Sequence, residues 1–161
     1  GDGTWVAAGG GLILQVVHVQ SIATTSFTGT GRQDIFTRAI TPTKASSKIL
    51  IHYALSVGNN VTGNSVTNLQ VDIAGGGYSD VLTGSGASNH QGFGGGFYDN
   101  DANQVRTVSG VYLHTPSYSL TEAITYKLQY YQKSTSGTSY LNRNTSNEES
   151  ATSHMVVMEV D

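Results

Sequence analysis

The sequence predicts an all-β protein, an antiparallel β-sandwich of jelly-roll type with about eight to ten strands. Three observations carry that prediction. Apolar residues recur with a period of two along several segments, and no segment shows a helical apolar stripe lasting three turns. Twenty Gly, only two Pro and abundant Thr, Ser and Asn favour short strands joined by tight turns. The strand-like segments recur at a spacing of about 8–15 residues, with turn residues between them.

Residues 1–11 (GDGTWVAAGGG) have no periodicity and read as a lead-in or linker, leaving 12–161 as one domain. Trp5, the sole tryptophan, lies outside any strand, where packing on a neighbouring chain or an upstream domain, or equally folding back onto its own domain, would cover it. Residues 12–20 (LILQVVHVQ) form the first strand, and both faces are apolar. Two-sided strands of that kind lie inside a sandwich or at a subunit contact. Residues 24–32 read as a loop. Residues 34–41 (DIFTRAIT) read as a strand whose register changes between Ile35 and Ile40, ended by Pro42.

The most regular stretch is 48–57 (KILIHYALSV). Ile49, Ile51, Tyr53, Leu55 and Val57 fall on one face, and Lys48, Leu50, His52, Ala54 and Ser56 on the other. The first face is a core face. The second is too apolar to be fully solvated, and a second subunit or a covering sheet is the expectation there. After a polar loop, 66–74 alternates with Leu69, Val71 and Ile73 inward and Gln70 and Asp72 outward. GGG at 75–77 turns the chain into a short strand at 78–83, and 84–103 is the least regular region. Residues 105–115 form a strand with a bulge or bend expected at Gly110, closed by Pro116. In 123–133 (AITYKLQYYQK), Ile124, Tyr126, Leu128 and Tyr130 face one way and Tyr131 the other. A turn at 135–138 predicts a hairpin with 139–142. Residues 152–160 close the fold, with Val156, Met158 and Val160 on one face.

Composition narrows the function. The 161-residue chain is only 12% charged with a formal net charge of −3, which does not advertise nucleic-acid binding. No stretch approaches the roughly 20 apolar residues of a membrane span. The absence of cysteine excludes disulfides and Cys-ligated zinc. The chain opens on Gly, as a processed product or a piece of something longer would. A charge-poor, Ser/Thr/Asn/Gly-rich surface is a compositional mark of extracellular and virion proteins.

Several segments carry a resemblance. GDGTW at 1–5 looks like the phrase that commonly ends the repetitive stalk of bacteriophage tail fibres. The rest is similar to C-terminal tip domains of phage tail-fibre and related virion proteins. The residues that carry this are 9–20, 40–58, 124–131, GTSYLNR at 137–143 and MVVMEVD at 155–161. The middle, 75–110, departs most. The resemblance implies a homotrimeric virion module at the end of a fibre stalk, acting outside the cell and recognising a host-surface saccharide or protein. It supplies no catalytic motif. With a homotrimer implied, Trp5, Val17, Val19, Leu50, His52 and Tyr131 become candidate trimer contacts.

Specific chemistry is thin. His18, His52, His90, His114 and His154 are scattered singly, with no His-x-His pair, and a lone strand His is ordinarily structural. A three-fold axis would be the exception, and His18, His52 and His154 are its candidates. Asp99, Asp101 and Asn103 have the opening spacing of a calcium loop, but Gln104 and Gly110 stand where Gly and Glu are required. We therefore expect no metal and no cofactor. Asp72, Asp80, Asp99, Asp101 and Glu122 are the carboxylates from which a glycan-cleaving pair would come. No nucleophile elbow or phosphate loop is present. Residues 88–103 hold the densest mixture of aromatic and hydrogen-bonding side chains. Asn89, His90, Tyr98, Asp99 and Asp101 are the candidate receptor contacts, with Phe93 and Phe97 assigned to the core. The leading expectation is glycan attachment without catalysis. A ligand-free trimerisation cap and a polysaccharide-degrading enzyme are the alternatives.

Overall fold

The computed structural model describes residues 12–60, 63–84, 93–94, 98–99, 104–132 and 137–161, with backbone only at 63, 64, 98 and 99. Eleven strands run β1 Ile13–Ser21, β2 Thr25–Thr28, β3 Gly31–Ile40, β4 Lys48–Asn59, β5 Gly63–Ile73, β6 Ser79–Asp80, β7 Tyr98–Asp99, β8 Arg106–His114, β9 Ile124–Gln132, β10 Thr138–Leu141 and β11 Ser153–Val160. There is no helix among the described residues. All pairings between named strands are antiparallel, in two facing sheets.

The first sheet is organised around β4. One edge of β4 pairs with β8; its other edge pairs with β11 and then with β10, and β1 and β2 flank those. The second sheet runs β3-β9-β5-β6, with β7 pairing the start of β5. The long strands give the orders β1-β11-β4-β8 and β3-β9-β5-β6. This interleaving of chain-distant strands across two sheets is the jelly-roll arrangement. Successive long strands cross from one sheet to the other because each has one fully apolar face that another sheet must cover.

The core is where the two apolar faces meet. Ile49, Ile51, Tyr53, Leu55 and Val57 of β4 lie against Ile124, Tyr126, Leu128 and Tyr130 of β9, with Leu69, Met155 and Val157. Each such side chain contributes roughly 1.5–3 kcal/mol of burial, less what the collapsed unfolded chain already hides. The Tyr53 hydroxyl lies 2.6 Å from Thr67 Oγ1, joining the sheets through the middle of the core. Buried Glu159 closes one end, accepting hydrogen bonds from the Thr43 and Lys44 amides (2.7 and 3.1 Å) and from Gln15 Nε2 (2.8 Å). Burial pushes this carboxyl up, but the converging hydrogen bonds outweigh it and hold it below its usual value.

Four sequence expectations are corrected. The predicted hairpin at 135–138 does not form, because β9 belongs to the second sheet while β10 pairs β2 and β4 in the first. Residues 24–32 contain a strand, β2, rather than a loop alone. Gly110 is not a bulge: β8 keeps unbroken register with β4. A Cβ there would stand 2.7 Å from the Tyr53 ring, so the glycine makes room for a core aromatic. Val17 and Val19, expected at a subunit contact, are half-buried and pack against the core. β3 does change register, but at Ile35, between Asp34 and Phe36; from Phe36 to Ile40, where the sequence predicts the change, its pairing with β9 is unbroken.

Candidate functional site

Of the expected receptor contacts, Asn89, His90 and Asp101 lie outside the described residues, as do Trp5 and Phe97. Tyr98 and Asp99 are described as backbone only, pairing with Asn64 and Gly63. Phe93 is half-buried, its ring 6.2 Å from that of Tyr53 and 5.3 Å from that of Tyr112, which agrees with its core assignment. The remaining candidates divide between two sheet surfaces. Leu50 and His52 lie on the outer face of the first sheet. Tyr131 lies on the outer face of the second, at the opposite side of the sandwich.

The outer face of the first sheet follows from register. Opposed residues of an antiparallel ladder point the same way, so three rows can be read across the sheet. Ile13, Val160 and Lys48 form one row; Val16, Met158, Leu50 and Leu113 the next; His18, Val156, His52 and Val111 the third. The bulge between Ile13 and Gln15 brings Ile13 onto the same side as Val16. Ile13 is 57% exposed, Val16 54%, Val111 62% and Leu113 46%. By strand spacing this apolar field covers on the order of 400 Å². The His52 and His154 rings lie 5.4 Å apart at its border. Among the described residues no cluster of His, Asp or Glu could hold a metal ion.

The outer face of the second sheet is polar and tied together. Asp80 on β6 receives both guanidinium nitrogens of Arg32 on β3, at 2.7 and 2.9 Å. The pair spans the face above β9 and β5. Asn68 and Gln70 also donate to Asp80 Oδ1, at 2.9 and 3.0 Å. Arg32 foremost, with Asn68 and Gln70, holds the Asp80 carboxyl well below the usual carboxylate range. Burial pushes Asp34 up, but the Gln129 amide (2.6 Å) and the Lys127 ammonium (3.0 Å) outweigh it and its pKa is lowered. Lys127 Nζ also sits 3.8 Å from the centre of the Tyr78 ring. The sequence reading placed Gln70 and Asp72 outward but missed this network, whose members come from four strands.

Where the two sheets meet at their edges, the sandwich has an open seam. Among the described residues β2 pairs only β10 and β3 only β9, and their outer edges border a cavity of about 300 Å³. Phe27, Ile35 and Leu141 make its apolar wall, and Thr25, Gln33 and Asp34 bring polar groups to it. Of the other carboxylates considered for catalysis, Asp72 accepts from the Gly77 amide and Glu122 from the Ser119 amide.

No family model and no curated protein matches the chain. Among solved structures it is similar to one of infectious bursal disease virus, Gx strain. That match has 13% identity and a TM-score of 0.47, and covers 91% of this chain but 40% of that one. The jelly-roll assignment rests on this chain's own strand order.

Proposed function

We propose that the chain is a virion fibre-tip module that assembles with copies of itself and attaches the particle to a host cell surface, through a saccharide and without catalysis. The observation that carries this reading is the outer face of the first sheet. Four adjacent strands present Ile13, Val16, Leu50, Met158, Val111 and Leu113 on one surface. Exposed apolar fields of a few hundred Å² on a charge-poor chain mark contact surfaces, and a second copy offers the same chemistry in return. The number of copies, three, and the place at a fibre end come from the resemblance of the sequence to fibre tips. Attachment is supported by the charge-poor, hydroxyl- and amide-rich composition. The engagement of Asp72, Asp80 and Glu122 in structural hydrogen bonds favours binding over hydrolysis.

A ligand-free trimerisation cap is the second reading, favoured by the same apolar face. Solution mass and whole-cell binding of the 161-residue chain test both. A trimer at micromolar concentration that binds susceptible cells, with binding competed by their surface polysaccharide, is the expected result. A trimer that binds no host supports the cap, and a monomer overturns the assembly half of the proposal.

A further inference from the structure

We infer that the seam between β2 and β3 binds one uncharged hexose unit of a saccharide chain. This rests on the attachment reading and gives it a location. The seam exists because two edge strands, one from each sheet, run past each other without pairing. At about 300 Å³ the cavity lies at the small end of ligand pockets, sized for a single ring rather than an extended chain.

The lining selects for a neutral polyol. Thr25 and Gln33 point inward, since their ladder partners Leu141 and Tyr130 are core residues. The side chains of Thr25 and Gln33 make no hydrogen bond within the described chain, so a hydroxyl, an amide oxygen and an amide NH₂ stand ready at the opening. Asp34 is the one charged residue among the described residues of the lining. Lys127 neutralises it from outside the cavity, and Gln129 fixes its orientation. Its ladder partner Gln129 lies on the outer face, so the paired carboxylate is turned out of the seam and leaves the hydrogen bonding there to the uncharged groups. Among the described residues of the lining an anionic ligand would find no cation, and a cationic one would find the carboxylate already paired. Phe27, held edge-on to Tyr130 with ring centroids 5.4 Å apart, supplies an aromatic surface for sugar C–H groups.

The test is an amide-resolved NMR titration of the 161-residue chain with methyl glycosides of glucose, galactose, mannose and N-acetylglucosamine. An affinity of about 1 mM is expected for a single ring held by a few hydrogen bonds. Shifts should centre on Thr25, Phe27, Gln33 and Ile35. Gln33→Ala should weaken binding about tenfold, and Thr25→Phe, which fills the opening with a β-compatible side chain, should abolish it with the spectrum otherwise intact. No shift with any of the four sugars, shifts centred elsewhere, or unchanged binding in both variants would overturn the assignment. So would a peptide that pairs along the free edge of β3 in place of the sugar. Whole-cell binding separates the two levels. If the wild-type chain binds cells and Thr25→Phe binds equally, the seam is wrong and attachment stands. If the seam takes a sugar but the chain binds no susceptible cell, the seam stands and attachment falls.

Discussion

The two outer faces of this sandwich solve the same problem in opposite ways. Each is the reverse side of a sheet whose inner side is fully apolar. On the second sheet, Arg32, Asp80, Asn68, Gln70, Asp34, Lys127 and Gln129 bind one another, and the face is complete as it stands. On the first, Val16, Leu50, Val111 and Leu113 offer nothing that water or a neighbour on the same sheet can satisfy. A sheet with one polar outer face is ordinary in a monomer. A sheet with an apolar field on its outer face as well needs a second layer of cover, and the described residues supply only one.

The sharpest way to break the comparison uses neighbours in β4. Ile51→Asp puts a carboxylate without a partner into the core and should cost about 5 kcal/mol or more, preventing folding. Leu50→Asp, one residue away on the outer face, should cost only about 1–2 kcal/mol of stability. It should still abolish self-association in solution-mass measurements. Equal effects of the two substitutions would show that the outer face is not a contact surface.

Next in size is Gly110→Ala. The added methyl meets Tyr53 at 2.7 Å in a packed interior, and a loss of about 1–3 kcal/mol in denaturant melts is expected. Self-association of the folded fraction should persist, because Gly110 faces inward with Tyr53. This substitution separates damage to the core from damage to the outer face.

These residues show what the sequence disclosed. The strict alternation of β4 and of β9 named the core correctly, because each strand has one face of large apolar residues and one that differs from it. β1 gave no such contrast. With Val16 and Val17 both apolar, only the pairing with β11, Val16 opposite Met158 and Val17 opposite the core residue Val157, decides which one faces the core. A turn sequence such as TSGT at 135–138 encodes a reversal but not which sheet the next strand joins, so the hairpin was misread. Gly110 has the same appearance whether it bends a strand or clears a ring. The network on the second sheet pairs Arg32 with Asp80, 48 residues apart, and periodicity carries no information about such a pair. The seam is harder still, since it arises where two strands fail to pair.

A smaller effect tests the self-contained face. Asp80→Ala removes the acceptor shared by Arg32, Asn68 and Gln70. Buried Asn68 then keeps only its bond to the Gln129 side-chain oxygen, and the expected cost is about 1 kcal/mol, reduced by the partial exposure of the ion pair. The sign with pH follows from the lowered Asp80 pKa. Its contribution is present above the unfolded value near 3.9 and is lost as pH falls through the folded value. The stability difference between wild type and Asp80→Ala should therefore shrink in acid. Asp80→Asn, which retains an acceptor oxygen, should recover part of it.

The smallest expected effect lies between the two faces, at His114. Its Nδ1 is 2.8 Å from the Tyr126 hydroxyl, a link from β8 across the core to β9. Burial lowers the His114 pKa, so the folded chain binds fewer protons here than the unfolded chain does around pH 6.5. The stability carried by neutral His114 is present above pH ~6.5 and is lost as pH falls through the folded pKa. Asp34, Asp80 and Glu159, all with lowered pKa values, lose their contributions only below the ordinary carboxylate range near pH 4. The interval from about pH 5 to 7 is thus free of them. Thermal melts across it should show a shallow loss of stability toward acid in the wild type and a flatter profile in His114→Gln, which retains a polar partner for Tyr126. Because His114 points inward, this difference should be the same whether the chain is assembled or not. A dependence on protein concentration would mean that titration at His114 reaches the outer face of the first sheet.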